Sequence, residues 1–117
     1  MENTASQSSA ARILVVGVGS IGTTLVAGLS RHAPTVVAEV VGLTSNEVIA
    51  QAIRDHGYRL RNPFGEQVHP GRVLTELRPE ERPFDFIVLA TQPPMVEKAA
   101  RDALPYLAEN GRLVVLQ

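Results

Sequence analysis

The sequence predicts an α/β fold: a doubly wound, mainly parallel sheet with helices on both faces. Three observations carry that expectation. Short runs that are apolar at nearly every position recur along the chain, segments with helical spacing separate them, and a glycine-rich loop joins the first run to the first helix. Strands without a polar face are buried on both sides, which requires helices above and below the sheet. With 117 residues, 44% of them hydrophobic, the chain suits one domain with an ordinary core.

Residues 1–11, rich in Ser, Ala, Thr, Asn and Gln, read as a loose tail that lacks the apolar stretch of a secretory signal, and residues 12–117 as the folded domain. Ile13-Leu14-Val15-Val16 is the first strand. Ile21, Leu25, Gly28, Leu29 and His32 then recur at helical spacing, Gly28 is expected to permit close packing against a neighbour, and Pro34 to end the helix. Val36 to Leu43 is a second strand, interrupted only by Glu39. Thr44-Ser45-Asn46-Glu47 reads as a capping box with Thr44 at the N-cap, and Val48, Ile49, Ala52 and Ile53 form the stripe of the next helix. Gly57 stands where a positive φ ends that helix.

A short β-excursion follows, with a strand around Tyr58 to Arg61, a turn at Asn62-Pro63-Phe64-Gly65 and a return strand from Val68 to Val73. Arg78 to Pro83 is a polar connection with one helical turn, and Phe84 to Ala90 a further buried strand. Thr91 or Gln92 caps a helix with Pro93 near its first position, and Met95, Val96, Ala99, Ala100, Ala103 and Leu104 give it an apolar face. Pro105 ends or kinks that helix, and Asn110-Gly111 turns the chain into a last strand, Arg112 to Leu116.

Eleven basic and twelve acidic side chains leave a net charge of -1, which supplies no footprint for nucleic acid or an anionic membrane. No stretch approaches the ~20 apolar residues that span a bilayer. The chain has no cysteine, which excludes disulfides and thiolate metal sites and fits a cytoplasmic protein. His32, His56 and His69 have no ligand-like spacing, so no metal is expected. Arg54, Arg59, Arg61 and Arg72 read as a solvated face, with Arg54 or Arg59 the candidates to meet an adenosine 2'-phosphate.

The chemistry lies in Gly17-Val18-Gly19-Ser20-Ile21-Gly22. A G-x-G-x-x-G pattern by itself is weak, but this one follows a buried strand, opens a helix and sits in a strand-helix-strand unit. That context makes a Rossmann-type domain the expected architecture and a dinucleotide its ligand. Gly17 permits the tight turn, Gly19 lets the backbone approach a pyrophosphate, and Gly22 lets the helix pack closely. Amides from Ser20 onward would face the phosphates. The tip of the second strand, where an acidic residue or an Arg usually meets the adenosine ribose, offers Thr44, Ser45 and Asn46.

From Arg12 to Gln117 the chain resembles the N-terminal, NAD(P)-binding domain of the ketopantoate reductase (2-dehydropantoate 2-reductase) family. The stretches that carry the resemblance are Ile13 to Gly22, Ala52-Ile53-Arg54-Asp55-His56-Gly57-Tyr58-Arg59-Leu60, Phe84 to Thr91 and Gly111 to Gln117. It implies an oxidoreductase that transfers hydride from NADPH, with NAD as the alternative cofactor, to a small 2-keto acid such as 2-dehydropantoate in pantothenate biosynthesis. It places the pyrophosphate on Gly17, Gly19, Ser20, Ile21 and Gly22, and the nicotinamide half beside Ala90, Thr91, Gln92, Leu116 and Gln117. Thr44-Ser45-Asn46 stands where the family often has Arg, and Gln92 where it often has Lys; both changes remove positive charge.

The resemblance further implies that a helical domain supplies the catalytic lysine and a substrate-binding acid. The 117 residues by themselves are therefore expected to bind cofactor without turnover, with no catalytic residue among them. Lys98, the sole lysine, reads as a surface charge. Apolar residues at Val114-Val115-Leu116 suggest self-association, as a homo-oligomer or through uncovered surface. A regulatory NAD(H)-binding module without catalysis, and the cofactor domain of an opine-type dehydrogenase, are the alternative functions.

Overall fold

The computed structural model describes residues 10–33 and 35–116, without the side chain of Asn62. Residues 1–9 of the expected tail over 1–11, the helix stop at Pro34 and the site residue Gln117 lie outside the described residues, and Ala11, the last residue assigned to the tail, instead opens the first strand. Within them, five strands form the main sheet: β1 (Ala11–Val16), β2 (Val37–Leu43), β5 (Arg72–Leu74), β6 (Phe84–Leu89) and β7 (Leu107–Val115), in the order β5-β2-β1-β6-β7. Every pairing in this sheet is parallel. Two further strands, β3 (Tyr58–Asn62) and β4 (Gly65–His69), form a separate antiparallel hairpin. This is the Rossmann-type arrangement, with the strand order reversing at β1.

Alternate side chains of β1 feed two cores. Ile13 and Val15 pack with Val26, Ala50, Ile53 and Tyr58 on the face covered by helices α1 (Ser20–Ser30) and α2 (Glu47–His56). Leu14 and Val16 pack with Phe84, Ile87, Leu89 and Ala103 on the opposite face, covered by α3 (Val96–Ala103). The period of two along a strand buried on both sides produces this division.

Several local expectations are corrected. In α1 the buried positions are Gly22, Val26 and Ala27, whereas Ile21 is 60% exposed and His32 is exposed. The helix is apolar around much of its circumference, so periodicity left its phase undetermined. A Cβ at Gly28 would meet nothing within 4 Å, so no close packing explains that glycine. In α2 the N-cap is Asn46, whose side chain accepts from the amides of Val48 and Ile49. Thr44 does not serve: its amide still extends the β2–β5 pairing by donating to the Leu74 carbonyl (3.0 Å), and its hydroxyl accepts from the Asn46 amide rather than from the first turn of the helix. Moving the start of the helix turns its buried stripe to Ala50 and Ile53 and leaves Val48 80% exposed.

The return strand of the excursion is Gly65–His69, and Arg72–Leu74 is a separate strand of the main sheet, divided from it by Pro70-Gly71. Asn110-Gly111 lies inside β7 rather than before it. Between the pairs Phe84↔Leu107 and Phe86↔Arg112 the register shifts, and the extra residues of β7 form an irregularity at which a Gly111 Cβ would stand 2.9 Å from the Asp85 carbonyl oxygen. Pro93–Met95 and Leu104–Tyr106 are single 3-10 turns flanking α3, so Met95 and Leu104 lie outside the helix proper and more than half exposed.

Tyr58, the first residue of β3, ties the hairpin to the sheet. Its ring is fully buried, and its hydroxyl donates to the Arg72 carbonyl oxygen. Gly42 of β2 and Gly71 make room for it: a Cβ at Gly42 would collide with the hydroxyl, and one at Gly71 would stand 3.0 Å from the ring. Burial pushes the Tyr58 phenol up to about 12 against an ordinary 10.0, although a backbone hydrogen bond from Gly42 opposes the shift.

At the N-terminal end of the sheet, Arg12 and Arg72 clasp Glu39 and Glu81. Arg12 bonds Glu39 (2.7 Å) and the carbonyls of Glu81 (2.6 Å) and Pro83 (2.9 Å), while Arg72 reaches Glu39 (3.2 Å) and Glu81. Burial alone would raise the Glu39 carboxyl, but the hydrogen bonds and charges of Arg12 and Arg72 outweigh it and hold the group below its ordinary value. Arg72 therefore belongs to an ion-pair network rather than to a solvated face.

Two outcomes follow for stability. Replacing Gly28→Ala should raise the free energy of unfolding by up to about 1 kcal/mol in urea titration, since the methyl enters open space and Ala favours the helix. A phenol whose folded pKa is raised gives stability that is intact below its unfolded value of 10.0 and is lost as pH climbs toward about 12. Unfolding measured from pH 9 to 12 should therefore show a loss of up to roughly 3 kcal/mol that is absent in Tyr58→Phe.

Candidate functional site

At the C-terminal ends of the parallel strands the chain leaves β1 through Gly17, whose φ of +94° only glycine adopts readily. The turn is held from both neighbours: the Gly17 amide donates to the Leu43 carbonyl (2.8 Å) and the Ala90 amide to the Val16 carbonyl (2.8 Å). A Cβ at Gly17 would stand 2.9 Å from the Ala90 oxygen and 3.1 Å from Cγ2 of Thr91, so the glycine loop rests directly on the β6–α3 turn. A Cβ at Gly22 would collide with the Gly17 carbonyl, which lets α1 start hard against the turn it follows. At Gly19 a Cβ would meet nothing within 4 Å. Two of the three glycines are thus required by the protein's own backbone, and the third borders open space.

That space adjoins an unusually bare helix start. Gly19 caps α1 with no side-chain hydrogen bond, and no acidic residue occupies the first turn. The hydroxyls nearby are turned to carbonyls: Thr23 donates to Val18 (2.9 Å) and Thr24 to Ser20 (2.9 Å). The first amides of α1 and the positive end of its dipole remain for an anion. α2 differs, since Asn46 caps it and Glu47 stands in its first turn.

Beside the loop lies a cleft of about 530 Å³, bounded by Val16 and Gly17, by Leu43, Thr44 and Ser45 after β2, and by Thr75, Glu76 and Leu77 after β5. Thr91, Met95 of the 3-10 turn and the inner side of α3, including Lys98 and Asp102, form its other wall. Its size is within the range of small-molecule sites, about 300–1,000 Å³. The Thr91 Oγ1 atom is buried and has no hydrogen-bond partner in the protein, a vacancy that ordinarily costs roughly 1–3 kcal/mol unless a ligand or water fills it. Lys98 bonds Asp102 (2.6 Å) and remains 68% exposed. A second, apolar hollow of about 420 Å³ runs along Ser20, Ile21, Thr24, Leu25 and Gly28 to Leu116.

Of the residues expected from sequence, the structure brings Gly17, Thr44, Ser45 and Thr91 together on the first cleft and Ser20 and Ile21 on the second hollow. Gly19 caps α1 and Gly22 lies in its first turn, lining neither cavity, and Ala90 lies against Gly17. The Asn46 side-chain oxygen is spent on capping α2, and Gln92 is exposed before the 3-10 turn, lining neither cavity. Arg54 and Arg59 line small hollows around α2 and the hairpin, not the cleft. Thr75, Glu76, Lys98 and Asp102 were missed as cleft residues. Recognising Arg72–Leu74 as a core strand would have found the first two, because loops at the C-terminal ends of parallel strands line such crevices. Among the described residues no three His, Asp or Glu side chains gather as a metal site, and no helix is long and apolar enough to cross a membrane.

The arrangement fits a dinucleotide: bare amides for a pyrophosphate, an open position at Gly19, and an unpaired hydroxyl at the mouth of a cleft for one of the two nucleoside halves. Comparison with known proteins agrees with that geometry. The family model described as ketopantoate reductase PanE/ApbA matches residues 13–117. A structure from Enterococcus faecalis, assigned provisionally as a 2-dehydropantoate 2-reductase, superposes with a TM-score of 0.77 at 18% identity, covering 91% of this chain and 33% of that one. A PanE/ApbA family ketopantoate reductase from Ralstonia eutropha JMP134 gives 0.73 at 19% identity, over 87% of this chain and 32% of that one. D-mandelate dehydrogenase in ternary complex with NADH and anilino(oxo)acetate gives 0.77 at 21% identity, over 90% and 33%. The chain thus spans about a third of the length of these structures. No curated protein matches the sequence significantly.

The glycines should separate on substitution. Gly22→Ala should destabilise the domain, because its methyl meets backbone. Gly19→Ala should unfold at the same denaturant concentration as the parent yet bind a dinucleotide at least about tenfold more weakly, since its methyl occupies the space a phosphate needs. Equal binding by parent and Gly19→Ala in calorimetry would refute that assignment.

Proposed function

The chain belongs to the ketopantoate reductase family, and on that premise we propose that it holds the nicotinamide dinucleotide of a reductase acting on a small 2-keto acid, of which 2-dehydropantoate is the family's example. The observation that carries this reading is the bare start of α1 beside Gly19. The amides of Ser20, Ile21 and Gly22 hold the pyrophosphate there, aided by the helix dipole. The adenosine half lies toward the end of β2, with its ribose beside Thr44, Ser45 and Asn46 and its base in the cleft. The nicotinamide half lies toward β6 and β7, where Ala90, Thr91, Gln92, Leu116 and Gln117 stand.

When bound, the nicotinamide supplies a hydride for the ketone; the chain's own residues bind and orient it and keep water from its buried flank. The Thr91 hydroxyl, buried and unpaired within the protein, donates to the dinucleotide where it passes from the loop toward β6. The catalytic lysine and a substrate-binding acid come from a helical domain, as the family resemblance implies, so these 117 residues bind cofactor without turnover. The mandelate dehydrogenase structure, which carries NADH together with anilino(oxo)acetate, supports a nicotinamide cofactor on this fold. NADPH is the cofactor that the family resemblance implies, and the choice between NADPH and NADH rests on the charges around the adenosine ribose. The absence of cysteine accords with a cytoplasmic enzyme.

Calorimetric titration with NADH and with NADPH tests the reading. At least one should bind with a Kd below about 1 mM, and binding should disappear in Gly19→Ala. Failure of both to bind the folded parent would overturn it.

A further inference from the structure

Resting on the reading that the cleft beside Thr44 takes the adenosine half, we propose that it selects NADH over NADPH and that Glu76 makes the selection. The two cofactors differ only by a phosphate on the adenosine 2'-oxygen, a group carrying about -1.5 to -2 charges at neutral pH. A site for that phosphate needs unspent positive charge or free backbone amides near the tip of β2. Among the described residues no unmatched cation lines the cleft, and most amides at the β2 tip are already bonded.

The ionised side chains on the cleft wall are Glu76, Lys98 and Asp102. The Lys98 ammonium is 2.6 Å from the Asp102 carboxylate and is matched by it, which leaves Glu76 as the excess charge. Arg78 pairs loosely with Glu76 at 3.5 Å, and both side chains are well exposed; Arg78 does not line the cleft. Among the described residues no arginine lines the cleft. Arg12 and Arg72 are bound to Glu39 and Glu81 at the opposite end of the sheet, and Arg54 and Arg59 line hollows around α2 and the hairpin.

Most of the backbone amides at that tip are already spent. The amides of Val48 and Ile49 at the start of α2 already donate to Asn46, the Asn46 amide donates to Thr44 Oγ1 (3.2 Å), and the Thr44 amide donates to Leu74. Glu47, in the first turn of α2, adds a further negative charge beside that helix start.

An unphosphorylated ribose suits the same surroundings. The hydrogen bond from Thr44 to Leu74 sets the ends of β2 and β5 side by side, so Glu76, two residues further on, flanks the β2 tip where a ribose diol is held. A carboxylate there accepts from the 2'- and 3'-hydroxyls and repels a 2'-phosphate. Glu76 thus does from the end of β5 what an acidic residue at the end of β2 does in the usual NAD site. Thr44, Ser45 and Asn46 are neutral and do not counter it.

The test titrates the folded chain with NADH and with NADPH, for the parent and for Glu76→Gln, at fixed low ionic strength because salt screens the effect. Glu76 is exposed and has one exposed ion pair, so Glu76→Gln should unfold at the parent's temperature. The parent should bind NADH at least tenfold more tightly than NADPH, and Glu76→Gln should reduce that ratio to about threefold or less. NADPH binding as tightly as NADH to the parent would overturn the proposal and leave the dinucleotide reading intact. A ratio unchanged in Glu76→Gln would overturn the role of Glu76. If the folded parent bound neither, the underlying reading would itself have failed.

Discussion

The structure depends on one backbone contact, the seating of the Gly17 turn on the Ala90-Thr91 turn. These turns close β1 and β6, the neighbours at which the strand order reverses. Each strand end is tied across by a backbone hydrogen bond, and no Cβ fits at Gly17 or Gly22 without meeting main-chain atoms. Because the loop lies flat on its neighbour, α1 begins immediately above the sheet with its first amides directed outward. Any side chain at these two positions would lift the helix start away and remove the geometry on which anion binding rests.

The two ends of the sheet are treated oppositely. At the N-terminal end, Arg12, Arg72, Glu39 and Glu81 satisfy one another and several carbonyls, so that end is electrostatically closed. At the C-terminal end, charges are sparse, α1 is uncapped, and Thr91 Oγ1 lacks a partner. Buried polar groups are normally paired within the protein, so an unpaired one beside open helix amides marks where an external partner is accommodated. The network at the far end also explains why Glu39, despite its spacing from the glycine loop, does not meet a ribose: the pairing Arg12↔Glu39 holds it at the start of β2, several residues short of the tip.

The hairpin is more than an insertion, since its first residue is also a core residue. The Tyr58 hydroxyl passes between Gly42 and Gly71 to reach the Arg72 carbonyl, joining β3, β2 and β5 through one side chain. This positions β5 beside β2 and carries Thr75 and Glu76 to the cleft. The charge character of the cleft is therefore set partly by a tyrosine on the other face of the sheet.

The sequence by itself determined the fold class, the identity of most strands, the glycine loop and the family. Each rests on local chemistry: unbroken apolar runs such as Ile13 to Val16, and glycines at positions where a side chain meets backbone. It did not determine the phase of α1, the cap of α2, the strand at Arg72–Leu74 or the residues of the cleft. α1 is apolar on several faces, so contact between Gly22 and the Gly17 turn selects which face is buried. Thr44 and Asn46 are both good caps in isolation; the structure keeps Thr44 at the end of the sheet, bonded to Leu74, and starts the helix after Asn46. Glu76 and Lys98 meet on one cavity because parallel strands bring far-separated loops to the same edge, a juxtaposition that no spacing along the chain encodes.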